Sequence, residues 1–133
     1  MIRYGKMVQN AVVVMSRLAE FYSQNRLISS IEIAENRNLA KPLVAKILTM
    51  LSQKGLVYSS PGPGGGYKLS KSPSEITLYD VAVLFEKESV ESKCPFGPNW
   101  CGHGKRCPLH KKFFKVEQLA ADFLKSTSFA EFE

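Results

Sequence analysis

The chain has 133 residues, of which 44% are hydrophobic and 23% charged, the balance of one domain able to close an apolar core. No apolar run approaches the roughly 18–20 residues of a transmembrane helix, and the N-terminus shows no small-residue cleavage site. The expectation is therefore a protein with no membrane partner, working in the cytoplasm where thiols stay reduced. The formal net charge is +6, and residues 1–70 carry all of it: nine basic residues there face only Glu20, Glu32 and Glu35, whereas from Lys71 onward nine basic and nine acidic residues cancel. A basic front half points to a polyanionic partner. An odd cysteine count, three, excludes a closed set of disulfides within the chain.

In chain order, Asn10 to Ser23 reads as a helix, with Ala11, Val14, Met15, Leu18, Ala19 and Tyr22 on one face at steps of three and four. Ser29 with Glu32 three residues later has the form of a capping box. The short helix that it opens, Ser30 to Asn36, buries Ile31 with Ala34 or Ile33, and "NRNL" then turns the chain. Pro42 suits a helix start, where its missing N–H costs nothing, and Gly55 suits the left-handed residue past a helix end. Between them Leu43, Val44, Ile47, Leu48 and Leu51 form an apolar face, leaving Lys41, Ala45, Lys46, Thr49 and Gln53 on the others. Two helices about a tight turn, the second with a polar and basic face, make a helix-turn-helix candidate.

"LVYSS" and "YKLS" read as two short strands joined by "PGPGGG". Helix, turn, helix and hairpin is the order of a winged helix, whose hairpin lies along the DNA backbone or enters the minor groove. The glycine run is no phosphate-binding P-loop, because it lacks the lysine and the following helix. Beyond it, residues 74–89 form a helical pattern with Thr77 as cap and Val81, Leu84 and Phe85 buried. A longer helix follows over 107–126, where Leu109, Phe113, Val116, Ala120 and Phe123 recur at steps of four, three, four and three. That seam suits helix pairing between two subunits, antiparallel or parallel.

All three cysteines and both histidines fall in residues 94–110, "CPFGPNWCGHGKRCPLH". Glycines there permit turns and prolines limit the entropy of ordering them. Lys105, Arg106 and Lys111 favour thiolate over thiol. Cys107 and His110 lie three apart at a helix start and share a face. The segment could hold an iron–sulfur cluster, or structural zinc, though it lacks the Cys-x-x-Cys knuckle usual for zinc, or the thiols could be unligated.

The stretch "GLVYSSPGPGGGYKLSKSPSEITLYDV" carries a family resemblance. Through Gly55, Leu56, Val57, Ser59, the run Gly62 to Tyr67, Leu69, Pro73, Ile76 and Thr77, together with Ala11, Leu18 and Ala19, the chain resembles the Rrf-two family of bacterial winged-helix regulators, which includes IscR, NsrR, RirA and CymR. The resemblance is nearest to the iron–sulfur members. It implies a mainly α fold with a small β-wing: a winged helix-turn-helix domain over 1–75, then 76–133 with a connecting helix, a cluster-binding loop (92–110) and a long C-terminal dimerisation helix. It further implies a dimeric DNA-binding transcription regulator, no enzyme, that binds an interrupted palindrome in double-stranded DNA. Cys94, Cys101 and Cys107 would hold a 2Fe-2S or 4Fe-4S cluster, with His110 as the matching fourth ligand. Gln9 stands where nitric-oxide-sensing relatives place a carboxylate ligand. The residues placed to meet DNA are Lys41, Pro42, Lys46 and Thr49 on the second helix of the pair, and Gly64, Gly65 and Tyr67 on the wing. Pro61 replaces an arginine common at the family's wing, and the gap between Cys94 and Cys101 is one residue longer than in IscR-like proteins. A zinc-stapled interaction module is the alternative reading of the loop.

Overall fold

The computed structural model describes residues 5–85 and 107–133. Helix α1 spans Lys6–Glu20, four residues earlier at its start than the periodicity suggested, because Val8 extends the buried face of Ala11, Val14, Met15, Leu18 and Ala19. It ends before Tyr22, which lies in a 3-10 turn (Tyr22–Gln24) yet still packs on the core. Asn25, left-handed at φ 52°, then reverses the chain. Asn tolerates that region because its short side chain bonds locally.

Helix α2 spans Ser30–Arg37 and helix α3 Lys41–Gln53. The Ser29 hydroxyl accepts the Glu32 N–H at 3.1 Å, which is one half of the expected capping box. The Glu32 carboxylate turns away to Arg17 and Arg26. Ile33 and Ala34 are the buried pair of α2, while Ile31 faces solvent. Both helices close in the same way. At the end of α2, Asn38 (φ 54°) lets Leu39 N–H reach Ala34 O at 2.9 Å. At the end of α3, Gly55 (φ 76°) lets Leu56 N–H reach Leu51 O at 3.0 Å while its own N–H bonds Ser52 O at 3.1 Å. Such paired closures are Schellman motifs, sealed here by the buried contact partners Leu51 and Leu56.

Strands β1 (Val57–Ser60) and β2 (Gly66–Leu69) pair antiparallel with Val57 opposite Leu69 and Ser60 opposite Gly66. Ile28, just before α2, adds a third rung by exchanging two backbone bonds with Tyr67, at 2.9 and 2.8 Å. The wing is therefore tied to the start of α2. Helix α4 (Leu78–Phe85) opens with a reciprocal cap: Thr77 N–H donates to Asp80 Oδ2 at 2.9 Å and Asp80 N–H to Thr77 Oγ1 at 3.2 Å. It buries Leu78, Val81 and Ala82, with Leu84 and Phe85 partly covered.

Helix α5 spans His110–Ser126, and after it the chain returns to the core. Leu78 N–H bonds Thr127 O at 2.9 Å and Phe129 N–H bonds Ile76 O at 3.0 Å. Phe129, in a closing 3-10 turn (Phe129–Phe132), is fully buried. One apolar cluster thus joins α1, α2, α3, the wing, α4, Leu124 of α5 and Phe129. The result is a mainly α protein with a two-stranded wing, in the winged-helix order that the sequence indicated. Among the described residues no helix is long and apolar enough to cross a membrane.

Candidate nucleic-acid interface

Helix α3 packs Val44, Ile47, Leu48 and Leu51 inward, so its 3.6-residue period turns Lys41, Pro42, Ala45, Lys46 and Thr49 outward, and all five are exposed. Pro42 occupies the first turn, where no backbone donor is lost. The Thr49 hydroxyl donates to Ala45 O at 2.9 Å, leaving its oxygen lone pairs outward as acceptors. Among the described residues neither Lys41 nor Lys46 has an ion-pair partner. Two uncompensated cations on a convex helix face attract anions of matching spacing.

Three arginines of the front half are disposed differently. Arg17, Arg26 and Arg37 turn onto Glu20 and Glu32. Arg17 donates to Glu20 at 2.9 Å and to Glu32 at 3.4 Å, and Arg26 grips both Glu32 oxygens at 2.9 and 3.1 Å. Arg37 donates to Glu20 and, at 3.2 Å, to the buried Ser16 hydroxyl. The Arg17 and Arg26 guanidiniums also lie 4.5 and 4.8 Å from the Phe21 ring centre. Burial disfavours the Glu20 carboxylate, but hydrogen bonds and charge from Arg37 and Arg17 outweigh that cost and hold its pKa below the ordinary 4.5. Counting cations along the sequence could not show this. It credits every basic residue to the partner, whereas three of the nine are engaged by the chain's own carboxylates.

At the wing tip Gly65 N–H bonds Gly62 O at 3.0 Å across Pro63 and Gly64 (φ 75°), the residues and dihedral of a type II turn. A Cβ at Gly65 would stand 2.1 Å from Ser60 O, and one at Gly66 2.7 Å from the Ile28 backbone. The glycines therefore let the hairpin close tightly and sit on the Ile28 backbone before α2. Tyr67 is half-buried with its backbone committed to Ile28. Between the wing and the first turn of α2 runs a groove lined by Ser29 and Ser30 on one side and by Ser59, Ser60 and Tyr67 with the wing-tip residues on the other. Sequence reasoning treated these serines as caps and strand residues only. Pro61 is exposed at the rim, and the wing's one cation, Lys68, bonds Asn25 Oδ1 at 2.9 Å and lies 5.3 Å from the Tyr58 ring.

Of the cysteine-rich segment, Cys107 and His110 are described; Cys94 and Cys101 lie outside the described residues. Cys107 and His110 are both half-buried where α5 begins, and the His110 N–H donates to Cys107 O at 3.1 Å, closing one turn between them. Among the described residues no group of three or more His, Cys, Asp or Glu side chains converges. Gln9 is exposed on α1.

The sequence seam of α5 divides in two. Phe113 and Ala120 are half-buried, whereas Leu109, Val116 and Phe123 face solvent along with Leu119 and Phe114, which the seam did not include. Val116 is 60% exposed, Leu119 70% and Phe123 52%. A heptad-like spacing fixes that a stripe exists, but not which flank of it the chain's own core takes.

The chain matches the Rrf2 family, described as iron-dependent transcriptional regulators, over residues 4–132. It is 32% identical over 127 residues, covering 94% of this chain and 87% of the relative, to a protein of Aquifex aeolicus (strain VF5) assigned to the HTH-type transcriptional regulators. It is 31% identical over 121 residues to the HTH-type transcriptional regulator IscR of Photorhabdus laumondii, covering 91% of this chain and 73% of that one. Its fold resembles CymR, the global cysteine regulator of B. subtilis, at a TM-score of 0.81 and 22% identity, covering 100% and 99% of the two chains. T. potens IscR superposes at a TM-score of 0.74 and 24% identity, covering 96% and 83%.

Proposed function

The chain belongs to the Rrf2 family of transcriptional regulators, and from that premise we propose that it works as a homodimer reading double-stranded DNA at an interrupted palindrome. Its affinity or choice of site would be set by an iron–sulfur cluster, and the place of action is the cytoplasm. The observation that carries the DNA reading is the outer face of α3, where exposed Lys41, Lys46 and Thr49 meet no internal ionic partner among the described residues. Placed in the major groove, that face brings Lys41, Lys46 and Thr49 to base edges or phosphates. The wing lies alongside, where Gly64 and Gly65 allow close approach and Tyr67 anchors the hairpin.

The exposed stripe of α5 supports the dimer. Leu124 is its one buried residue, so Leu109, Val116, Leu119 and Phe123 offer a row of apolar side chains that a second copy can cover. A twofold pairing along this row relates the two α3 helices and imposes symmetry on the DNA site.

For the cluster, the donor chemistry fits: Cys94, Cys101 and Cys107 as thiolates with His110 as fourth ligand. Cys107 lies one turn before α5 and His110 is its first residue, so holding both residues on one group would fix the start of the helix that carries the dimer stripe. When bound, the cluster would supply thiolate-ligated iron responsive to oxidants, nitric oxide or iron supply. Residues 1–75 would then form the reading unit and 76–133 the unit that senses and pairs. Anaerobic purification with absorbance, iron, sulfide and zinc assays tests this: a coloured protein with iron and sulfide, lost in Cys101→Ala, is expected. Colourless protein carrying one zinc per chain would favour the zinc-stapled module instead.

A further inference from the structure

Helix α2 is eight residues long and buries only Ile33 and Ala34, a small apolar footprint. Ion pairs also hold it at both ends. Glu32 in its first turn meets Arg17 of α1 and Arg26 of the connector, and Arg37 in its last turn meets Glu20 and Ser16 of α1. The acidic side chains are about one-third exposed, and Arg17 and Arg37 are 15% and 22% exposed, which shields these pairs from full solvent screening. From Arg37 the chain passes through Asn38, held left-handed, directly into α3 at Lys41. A roll of α2 therefore carries into α3.

We propose that Glu20, through Arg37, is a positioning residue for DNA reading: it sets the angle at which α3 presents Lys46 and Thr49, without itself or Arg37 touching DNA. The proposal rests on α3 being the reading helix. A role in orientation differs from a role in charge in what it changes. Misdirecting α3 weakens fitted contacts to bases, while the phosphate attraction that governs non-specific binding persists.

The experiment first selects a DNA site from a random pool with the wild-type protein, then titrates that site and a scrambled duplex at several salt concentrations. Glu20→Gln should weaken selected-site binding by about tenfold, the scale of coupling between contacting groups, with scrambled-site affinity and salt slope unchanged. Lys46→Ala should instead lower the slope by about one unit. Arg37→Lys, which keeps the charge and loses the fork, covers the case in which Glu20→Gln does not fold, with a smaller loss in the same direction. An unchanged ratio in a folded Glu20→Gln, even with a lowered melting temperature, overturns the proposal and leaves the pair a stability element. A reduced salt slope in Arg37→Gln, which removes the charge, overturns it as well, by making Arg37 a phosphate contact. Failure of the wild type to select any site would count against α3 as the reading helix, a separate result.

Discussion

Helices α3 and α5 are both amphipathic, yet they end with opposite faces uncovered. Helix α3 buries Val44, Ile47, Leu48 and Leu51 completely and presents lysine, threonine and alanine to solvent. Helix α5 is longer, 17 residues, but buries Leu124 alone and presents Val116, Leu119 and Phe123. The first is finished within one chain and leaves over what a polyanion attracts. The second is anchored at its C-terminal end by Leu124 and Phe129 and leaves over what a second apolar surface covers. A helix that carries charge outward and one that carries hydrocarbon outward are prepared for different partners, and this chain places them in opposite halves of its sequence.

The largest way to break that contrast is to remove the anchor. Phe129→Ala empties a fully buried site and should cost about 3–5 kcal/mol in urea unfolding, because the 76–78 and 127–129 pairing loses its plug. Leu119→Glu should leave folding of the single chain intact and weaken the dimer by about a hundredfold, or about 2.7 kcal/mol, in sedimentation equilibrium. A Leu119→Glu protein that still dimerises as tightly would show that the stripe faces solvent in the assembly.

Much of the front half was legible from the sequence because its signals are local. Apolar spacing, a serine before a helix, the turn at "NRNL" and Gly55 after a helix each act within a turn, so α2, α3 and the hairpin fell within a residue or two of their places. The engagement of Arg17, Arg26 and Arg37 was not legible, since a charge in a sequence has no direction until helices α1 and α2 cross. Neither was the return of residues 127–129 to 76–78, a pairing between segments far apart in the chain with no periodicity of its own. Gly66 was read as part of a wing signature; its physical reason, the Ile28 backbone against it, needs the isolated bridge between Ile28 and Tyr67. The cysteine segment was legible as a donor set, but Cys94 and Cys101 fall outside the described residues.

On the α3 side, Lys46→Ala should lower affinity for the selected DNA several-fold and flatten the salt dependence by about one counterion, while the melting temperature and the dimer stay put. Loss of affinity without change in slope would mean that Lys46 reads a base edge alone. The smallest effect concerns the ionic support behind α3. Glu20 has a folded pKa below 4.5, so its stabilisation is complete above that value and is lost as pH falls through the lowered one. The stability difference between wild type and Glu20→Gln should therefore hold from neutral pH down to about pH 5 and shrink below about pH 4.5. A difference that grows on acidification would mean that the Arg37 and Arg17 contacts do not favour the ionised form.

The two ends of the molecule meet in one claim: a group bound where α5 begins changes how well α3 binds DNA. A ligand shifts such an equilibrium only through different affinity for the two states. The direct measurement is to titrate one selected palindromic DNA with cluster-loaded protein and with cluster-free protein at fixed salt. The account predicts dissociation constants that differ by about 5- to 150-fold, the range of coupling free energies of about 1–3 kcal/mol. Superimposable curves would contradict it.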